Sequence, residues 1–269
     1  MVEPWHTLVF SLTIPMEDKR ERPMKKGVGA VFQEETKYTA QKLRGHTLDW
    51  SKFPATYKSY DAPLARFVLP QPEITGDANV WQLLQRRRSK RAYKPEQPLT
   101  QALLATLLWA TQGLTAQQGD MYFRTAPSAG GLYPVETYLS VRAVEGLEPG
   151  IYHFRPLTTD LEFLKRGDYA RVLANAALGQ EMVADAQVTF IWSAVLERSK
   201  WKYRERAYRY IYIDAGHIGQ NLYLAAEALG LGSCTIGAFF DEDVNSLIGA
   251  DGINETVIYL GCVGWPVTE

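Results

Sequence analysis

The sequence contains few of the residues that mark disulfide-bonded, metal-binding or membrane-spanning proteins. Its 269 residues include two cysteines and four histidines. Cys234 and Cys262 lie in apolar, strand-like surroundings without the spacing of metal ligands, so we expect buried thiols, no disulfide and no metal site. No apolar run has the length of a membrane span, and the short apolar stretch at residues 8–15 follows no Lys or Arg, unlike a secretory signal. These absences predict a cytoplasmic protein that does not enter a membrane.

Net charge is also nearly absent. The chain has 29 Lys and Arg residues against 30 Asp and Glu residues, which gives a formal net charge of -1. A balanced chain has no overall positive field to hold a polyanion such as duplex DNA, so we expect no nucleic-acid partner. The hydrophobic content of 46% is enough to bury a sizeable core.

Hydrophobic periodicity predicts an α+β fold. Five segments rich in β-branched or aromatic residues are predicted to be strands, at residues 135–144, 150–154, 188–195, 234–239 and 256–263. Thr100 is placed to cap a leucine-rich helix that Gly113 ends. The longest helix is predicted over residues 207–229, where small and apolar residues repeat at steps of four and three and also occupy a second face. We expect this central helix to pack against a second subunit as well as its own core.

Composition divides the chain into three parts. Residues 1–34 mix Pro, Lys, Glu and Gly without sustained periodicity, which predicts a weakly structured leader. Residues 35–78 form a preface that ends in a proline-rich connector. Residues 79–269 carry the periodic elements and are predicted to be the main domain.

Cations are concentrated in one short segment. Residues 86–91 read Arg-Arg-Arg-Ser-Lys-Arg, so five of six positions are cationic. Several guanidinium groups beside a hydroxyl suit a phosphate monoester, because each can form bidentate, charge-assisted hydrogen bonds. The alternative is a solvated basic helix end, since most charge runs are ordinary surface.

Two glycine-containing segments are candidate ring-binding sites. Residues 127–134 read Pro-Ser-Ala-Gly-Gly-Leu-Tyr-Pro, and Gly237 interrupts a predicted strand. Glycine lets the backbone approach a flat ligand closely. The alternatives are a tight turn that requires positive φ and a β-bulge.

Taken in order, these segments resemble the FMN-dependent nitroreductase superfamily and, within it, the SagB-type dehydrogenases. The resemblance covers about residues 79–266, and its most specific stretches are residues 87–91, 126–134, 206–209 and 219–234. It implies a nitroreductase-like mixed β-sheet flanked by helices, with a long central helix. It also implies an interlocked homodimer in which each FMN contacts both chains. Residues 79–269 would then be the FMN-binding domain, and the preface looks like the leader of this branch.

The resemblance further implies which residues bind the cofactor. In this family a basic motif holds the phosphate and ribityl chain and places a cation near flavin N1 and O2. The residues that match this motif are Arg87, Arg88, Ser89 and Arg91. Those that match the partner chain's loop beside the ring are Pro127, Ser128, Ala129 and Gly130. Ile236 and Gly237 match the strand facing flavin N5, to which the Gly237 amide would donate. Many nitroreductases supply further basic ligands beyond the last strand, so we expect phosphate binding here to depend more on residues 86–91.

Lys202 and Tyr203 are the candidate catalytic pair. They lie in a charged cluster, residues 198–209. In relatives that oxidise azolines in peptide natural products, a Lys-Tyr pair in this region looks catalytic, with one member taking a substrate proton as hydride leaves to FMN. That role needs a Lys or Tyr pKa lowered by burial or by cationic neighbours. The alternative is a solvated, charge-alternating helix start.

The predicted function is an FMN-dependent oxidoreductase that resembles SagB-type dehydrogenases. It would transfer hydride through flavin N5 to or from an unidentified small molecule or peptide heterocycle. One alternative is a nitro or quinone reductase that uses NAD(P)H as electron donor. Another is a non-catalytic flavin carrier or scaffold, which fold resemblance does not distinguish from an enzyme.

Overall fold

The computed structural model describes residues 26–45, 47–74 and 79–267. The chain divides into two units, residues 1–44 and 45–269. In the first unit, helices α1 (Val28–Glu35) and α2 (Ala40–Leu43) are formed. Residues 1–25 of the predicted leader lie outside the described residues, whereas residues 28–34 of it are helical. Residues 45–74 of the predicted preface belong to the second unit.

The second unit contains the main sheet and its surrounding helices. Its described helices are α3 (Val80–Arg86), α4 (Gln101–Gln112), α5 (Ala170–Ala176), α6 (Glu181–Asp185), α7 (Leu196–Tyr203), α8 (Ala207–Ala228) and α9 (Asp241–Ile248). Its described strands are β1 (Ala65–Val68), β2 (Leu114–Gln118), β3 (Met121–Arg124), β4 (Val135–Val141), β5 (Gly150–Arg155), β6 (Asp160–Arg166), β7 (Val188–Val195), β8 (Gly232–Ile236) and β9 (Glu255–Gly264).

Seven strands form one sheet in the order β1-β6-β5-β4-β7-β9-β8, and β2 and β3 form a separate hairpin. The α+β class and the helices flanking a sheet are confirmed. The sheet differs from the predicted mixed sheet in one respect, because all neighbouring strands pair antiparallel. The connections at residues 142–149 and 156–159 are too short for the crossover that parallel strands need, so β4, β5 and β6 must reverse direction at each step.

The long helix α8 is central, as predicted. Its buried seam includes Ile211, Ala215, Ile218 and Leu222, of which Ile218 and Leu222 belong to the main hydrophobic core with the sheet and α4. The start and end of α4 are also confirmed. The Thr100 hydroxyl accepts a hydrogen bond from Leu103 N at 3.2 Å, and Gly113 follows its last residue.

A second face of α8 is exposed in the single chain. Tyr212 and Ile213 are 58% and 48% exposed, and Gly216 and His217 beside them are also exposed. Within the described part of the chain, nothing buries this face. It is therefore an apolar surface on the helix that was predicted to meet a second subunit.

Both cysteines are buried with free thiols, as predicted. They occupy facing positions in β8 and β9. Burial raises the pKa of the Cys262 thiol to about 12. Among the described residues, no helix is long and apolar enough to cross a membrane, and no group of acidic, His or Cys side chains could hold a metal ion.

Candidate functional site

The basic motif, residues 86–91, begins at the end of α3. Two of its cations pair with Glu227 on α8: Arg86 Nε lies 3.6 Å and Lys90 Nζ 3.2 Å from its carboxylate oxygens. The other three cations form no ion pair with a carboxylate among the described residues, and they are Arg87, Arg88 and Arg91. The motif thus combines two cations that share one carboxylate with three guanidinium groups that pair with none, which suits an anionic ligand.

Tyr223 of α8 fixes the motif in place. Its hydroxyl lies 2.9 Å from Ser89 Oγ, and the Arg87 guanidinium lies over its ring at 5.1 Å. The same hydroxyl accepts a hydrogen bond from Thr235 N at 2.9 Å. Since Thr235 belongs to β8, one tyrosine connects the basic motif to the strand that leads to Ile236 and Gly237.

Gly237 borders open space just after β8. A Cβ atom placed on it would meet no heavy atom within 4 Å, whereas Ile236 before it is buried. The structure therefore brings the basic motif, Ile236 and Gly237 to one region through Tyr223. We call Arg87, Ser89, Arg91, Tyr223 and Gly237 the basic-motif cluster.

The glycine turn, residues 127–134, is fastened to α8 by a buried carboxylate. Ser128 Oγ donates to Asp214 Oδ2 at 2.6 Å, and Ala129 N donates to Asp214 Oδ1 at 3.2 Å. Asp214 is only 4% exposed, and this burial raises its pKa despite the hydrogen bonds from the turn. Gly130 and Gly131 have φ of 66° and 67°, so the turn also has the positive φ that favours glycine. Pro127 is exposed at the start of the turn.

Lys202 and Tyr203, at the end of α7, lie against this turn. A Cβ atom placed on Gly130 would lie 2.5 Å from the Tyr203 hydroxyl and 2.8 Å from Lys202 Nζ. The glycine therefore leaves the space that these two side-chain ends occupy. Both residues are half-buried rather than fully solvated. We call Ser128, Gly130, Lys202, Tyr203 and Asp214 the glycine-turn cluster.

The pKa of Tyr203 shifts in the direction opposite to the one that a base requires. Burial raises it, and the neighbouring Tyr210 and Asp214 raise it further. The Tyr203 ring lies 4.6 Å from that of Tyr210. In the single chain Tyr203 therefore keeps its proton and is suited to donate a hydrogen bond rather than to act as a base.

The two clusters lie on opposite sides of α8. Asp214 and Tyr223 are nine residues apart in this helix. At about 100° and 1.5 Å per residue, they point in opposite directions and are separated by about 14 Å along the axis. One small ligand therefore cannot contact both clusters of the same chain.

Asp214 and Tyr223 were not identified from the sequence as site residues. Asp214 had a visible signal, because a single acid interrupts the apolar seam formed by Ile211, Ala215 and Ile218. Glu227 has a structural role, through its ion pairs with the basic motif.

Residues 84–265 match the model of the Nitroreductase family. MJ1384 of Methanocaldococcus jannaschii, which is assigned by name to the nitroreductases, is 39% identical over 62% of this chain and 82% of its own length. The trifolitoxin-processing protein TfxB of Rhizobium leguminosarum bv. trifolii is 30% identical over 52% of this chain. The microcin B17-processing protein McbC of Escherichia coli is 28% identical over 48% of it. The chain spans 39% and 49% of the lengths of these two peptide-processing proteins.

Solved structures share the fold. A nitroreductase-assigned protein from Anabaena variabilis superposes with a TM-score of 0.72 at 31% identity, over 87% of this chain and 45% of that one. The E. coli microcin synthetase McbBCD complex with truncated pro-MccB17 bound gives a TM-score of 0.58 over 89% and 87% of the two chains. A protein from Desulfovibrio desulfuricans in complex with FMN gives 0.51 over 72% and 89%. Both latter matches are 19% identical and show the fold alone.

Proposed function

The chain belongs to the Nitroreductase family, whose members are oxidoreductases, and from this we propose that it is an FMN-dependent dehydrogenase of the SagB type. The proposed substrate is a heterocycle within a peptide. The observation that carries the proposal is the approach of Lys202 and Tyr203 to Gly130, which joins the candidate proton-transfer pair to the candidate ring-binding turn. The similarity to TfxB and McbC, both named as processing proteins of peptide toxins, supports a peptide substrate.

The donor set of the basic-motif cluster fits FMN. We propose that Arg87, Ser89 and Arg91 hold the phosphate and ribityl chain, because their cations are uncompensated and Tyr223 fixes the hydroxyl between them. The open backbone at Gly237 leaves room for a flat ring to approach. When bound, FMN would supply the two-electron chemistry at N5. The FMN complex of the Desulfovibrio protein supports this cofactor.

The proposed assembly is a homodimer with composite sites. If the ring is to contact a glycine turn as well as a basic motif, the turn must come from another copy, because the two clusters face opposite sides of α8. The exposed apolar face formed by Tyr212 and Ile213 is the surface proposed to meet the second copy. Each site would then combine one chain's basic-motif cluster with its partner's glycine-turn cluster.

In this site, oxidation of the substrate would remove a proton as well as a hydride, and side chains of this chain would handle the proton. Tyr203, which keeps its proton, would donate a hydrogen bond that orients the heterocycle. Lys202 Nζ would take the proton from the substrate carbon as a free amine, once its own proton has passed to solvent. Asp214 would not touch the substrate and would hold the turn through Ser128 and the Ala129 amide.

The test begins with the absorption spectrum of the purified full-length protein, where oxidised flavin bands are expected. Under anaerobic conditions, a peptide that contains an azoline should bleach these bands and lose two hydrogens in its mass. The Lys202→Ala, Tyr203→Phe double variant should hold flavin but leave the peptide unchanged. Full turnover in that variant would contradict the assignment of the pair.

A second candidate function is an NAD(P)H-dependent nitro or quinone reductase, which the similarity to MJ1384 favours. Rapid bleaching of the flavin by NAD(P)H, with no reaction of the peptide, would support it over the dehydrogenase. A flavin that exchanges electrons with no donor and no acceptor would instead support the carrier role and exclude both enzymes.

A further inference from the structure

A segment outside the family match is attached to the helix that carries the candidate catalytic pair. Residues 47–60, which we call the strap, contact α7 at Trp201. The Trp201 indole N–H donates to Asp49 O at 2.8 Å. Its ring packs edge-on against Trp50 and Phe53, with centroids 5.0 Å away in both cases. The strap is thus fixed to the residue immediately before Lys202.

Arg198 joins the strap to the glycine turn as well. It lies on α7 and is only 3% exposed. Its Nε donates to Ala55 O of the strap at 2.8 Å, and its Nη1 donates to Tyr133 O at the end of the glycine turn at 3.3 Å. Tyr133 has a φ of 45°, so this bond helps to hold a backbone conformation that is unfavourable for a residue with a side chain.

The same guanidinium ends a row of buried ionisable side chains that crosses the sheet. Arg198 Nη1 lies 2.6 Å from Glu136 Oε1, an ion pair without the angle of a hydrogen bond. Glu136 contacts His153 Nε2 at 3.0 Å, and His153 Nδ1 contacts Glu162 at 3.0 Å. Glu162 in turn accepts a hydrogen bond from Tyr60 N at 3.1 Å. The strap therefore meets both ends of the row, at Ala55 and at Tyr60.

We propose that Arg198 and the strap position Lys202 and Tyr203 against the glycine turn. Lys202 follows Arg198 by four residues, so the two side chains share one face of α7. A guanidinium that binds the strap, the turn and β4 together fixes how far this face stands from Gly130. Arg198 is a positioning residue, because it acts through Lys202 rather than on the substrate. The inference deepens the proposed function and rests on the role given there to the pair.

The test compares Arg198→Lys with Arg142→Lys in the full-length, flavin-loaded protein. Lysine keeps the charge opposite Glu136, but its ammonium cannot reproduce a guanidinium fork between three acceptors. Arg142 is a matched control because it also donates to backbone carbonyls, those of Pro95, Asp185 and Ala186, and none of these bonds is to α7. Brief acetylation followed by mass spectrometry gives the labelling rate of Lys202. Hydrogen exchange gives the protection of residues 196–203.

Arg198→Lys is expected to raise both the Lys202 labelling rate and the exchange of α7, whereas Arg142→Lys leaves both at wild-type values. In turnover, Arg198→Lys should lower kcat by about 100-fold for a displacement near 1 Å, with KM unchanged. Equal Lys202 labelling in the wild type and both variants would overturn the inference. The labelling rate of Lys202 does not depend on flavin chemistry. If the protein proves to be a flavin carrier, the proposed function is refuted, and the labelling rates still test the positioning role of Arg198.

Trp201→Phe provides a second route if Arg198→Lys fails to fold. Phenylalanine keeps a smaller aromatic ring against Trp50 and Phe53 and removes the N–H that donates to Asp49 O. Increased Lys202 labelling in this variant would support the inference. Wild-type labelling with unchanged exchange of α7 would show that the strap does not position the pair.

Discussion

Replacing Gly130 with alanine should impair turnover far more than replacing Gly131, although the two glycines have nearly the same positive φ. Their φ angles are 66° and 67°. An alanine in this left-handed region costs about 1–2 kcal/mol at either position. The backbone cost is therefore common to both variants, and any difference between them reports what the added methyl group contacts.

The methyl groups would meet different neighbours. At Gly131 the added carbon would lie 3.3 Å from Met121 Cε, at the edge of ordinary contact. At Gly130 it would lie 2.5 Å from the Tyr203 hydroxyl and 2.8 Å from Lys202 Nζ. Restoring ordinary contact would move the hydroxyl by about 0.9 Å, and displacements near 1 Å can reduce a catalysed rate by about 100-fold.

Three measurements separate these effects. Urea unfolding should show a similar loss of about 1–2 kcal/mol for both variants. Flavin absorbance gives the cofactor content of each variant, so that turnover is expressed per bound flavin and a loss of cofactor at the glycine turn is not counted as a loss of chemistry. Turnover should fall about 100-fold in Gly130→Ala alone. If Gly130→Ala and Gly131→Ala turn over at the same rate, the closeness of the pair to the turn is not needed for chemistry.

Three further predictions concern the cofactor, the assembly and the acid stability. Arg91→Ala should weaken FMN retention at least tenfold, since a charged hydrogen bond contributes about 1.5–3 kcal/mol. Arg86→Ala should leave FMN retention unchanged, because Arg86 pairs with Glu227. Equal losses in a fluorescence titration would contradict this difference. Ile213→Lys should convert a dimer to a monomer in sedimentation and release the flavin, and a flavin-bound monomer would refute the composite site. Burial alone would raise the pKa of Glu136, but His153 and Arg198 lower this pKa to about 2. The charged Glu136 carboxylate therefore stabilises the fold above about pH 4.5. This contribution, about 3 kcal/mol, is lost as the pH falls through 2, so the free energy of unfolding should fall less with acid in Glu136→Gln than in the wild type.

The helices and strands that could be predicted from the sequence are those in which apolar residues recur at regular spacing and pack against other apolar residues. Strand β7 was predicted at its observed bounds, and α8 within one residue of its end. In contrast, β6 was missed. It reads Asp-Leu-Glu-Phe-Leu-Lys-Arg, and the charge at Glu162 suggests a solvated position. The structure buries that carboxylate against His153, a partner on another strand that periodicity cannot reveal.

In the candidate site, too, local sequence patterns could be predicted, whereas contacts between distant segments could not. The basic motif and the glycine turn were visible as local patterns, because arginine clusters and paired glycines have a meaning within a few residues. The approach of Lys202 to Gly130 was not visible, since it depends on how α7 follows the sheet. The importance of Arg198 was also hidden, because a guanidinium in a charged helix reads as surface until its three acceptors are known.

The basic motif shows why counting charges is not enough to locate a ligand. Five cations in six residues repel one another, and Glu227 supplies one negative charge, which Arg86 and Lys90 share. Those two are separated by four positions and attach the segment to α8. Of the cations without a carboxylate partner, Arg87 lies over the ring of Tyr223, whose hydroxyl contacts Ser89. Arg91 Nη1 donates to Ser89 O at 3.5 Å, whereas Arg88 donates to the carbonyls of Gln85 and Arg87. In this arrangement one carboxylate anchors the segment and leaves its other charges available. A site that binds a phosphate requires such an arrangement, whereas a solvated basic surface does not.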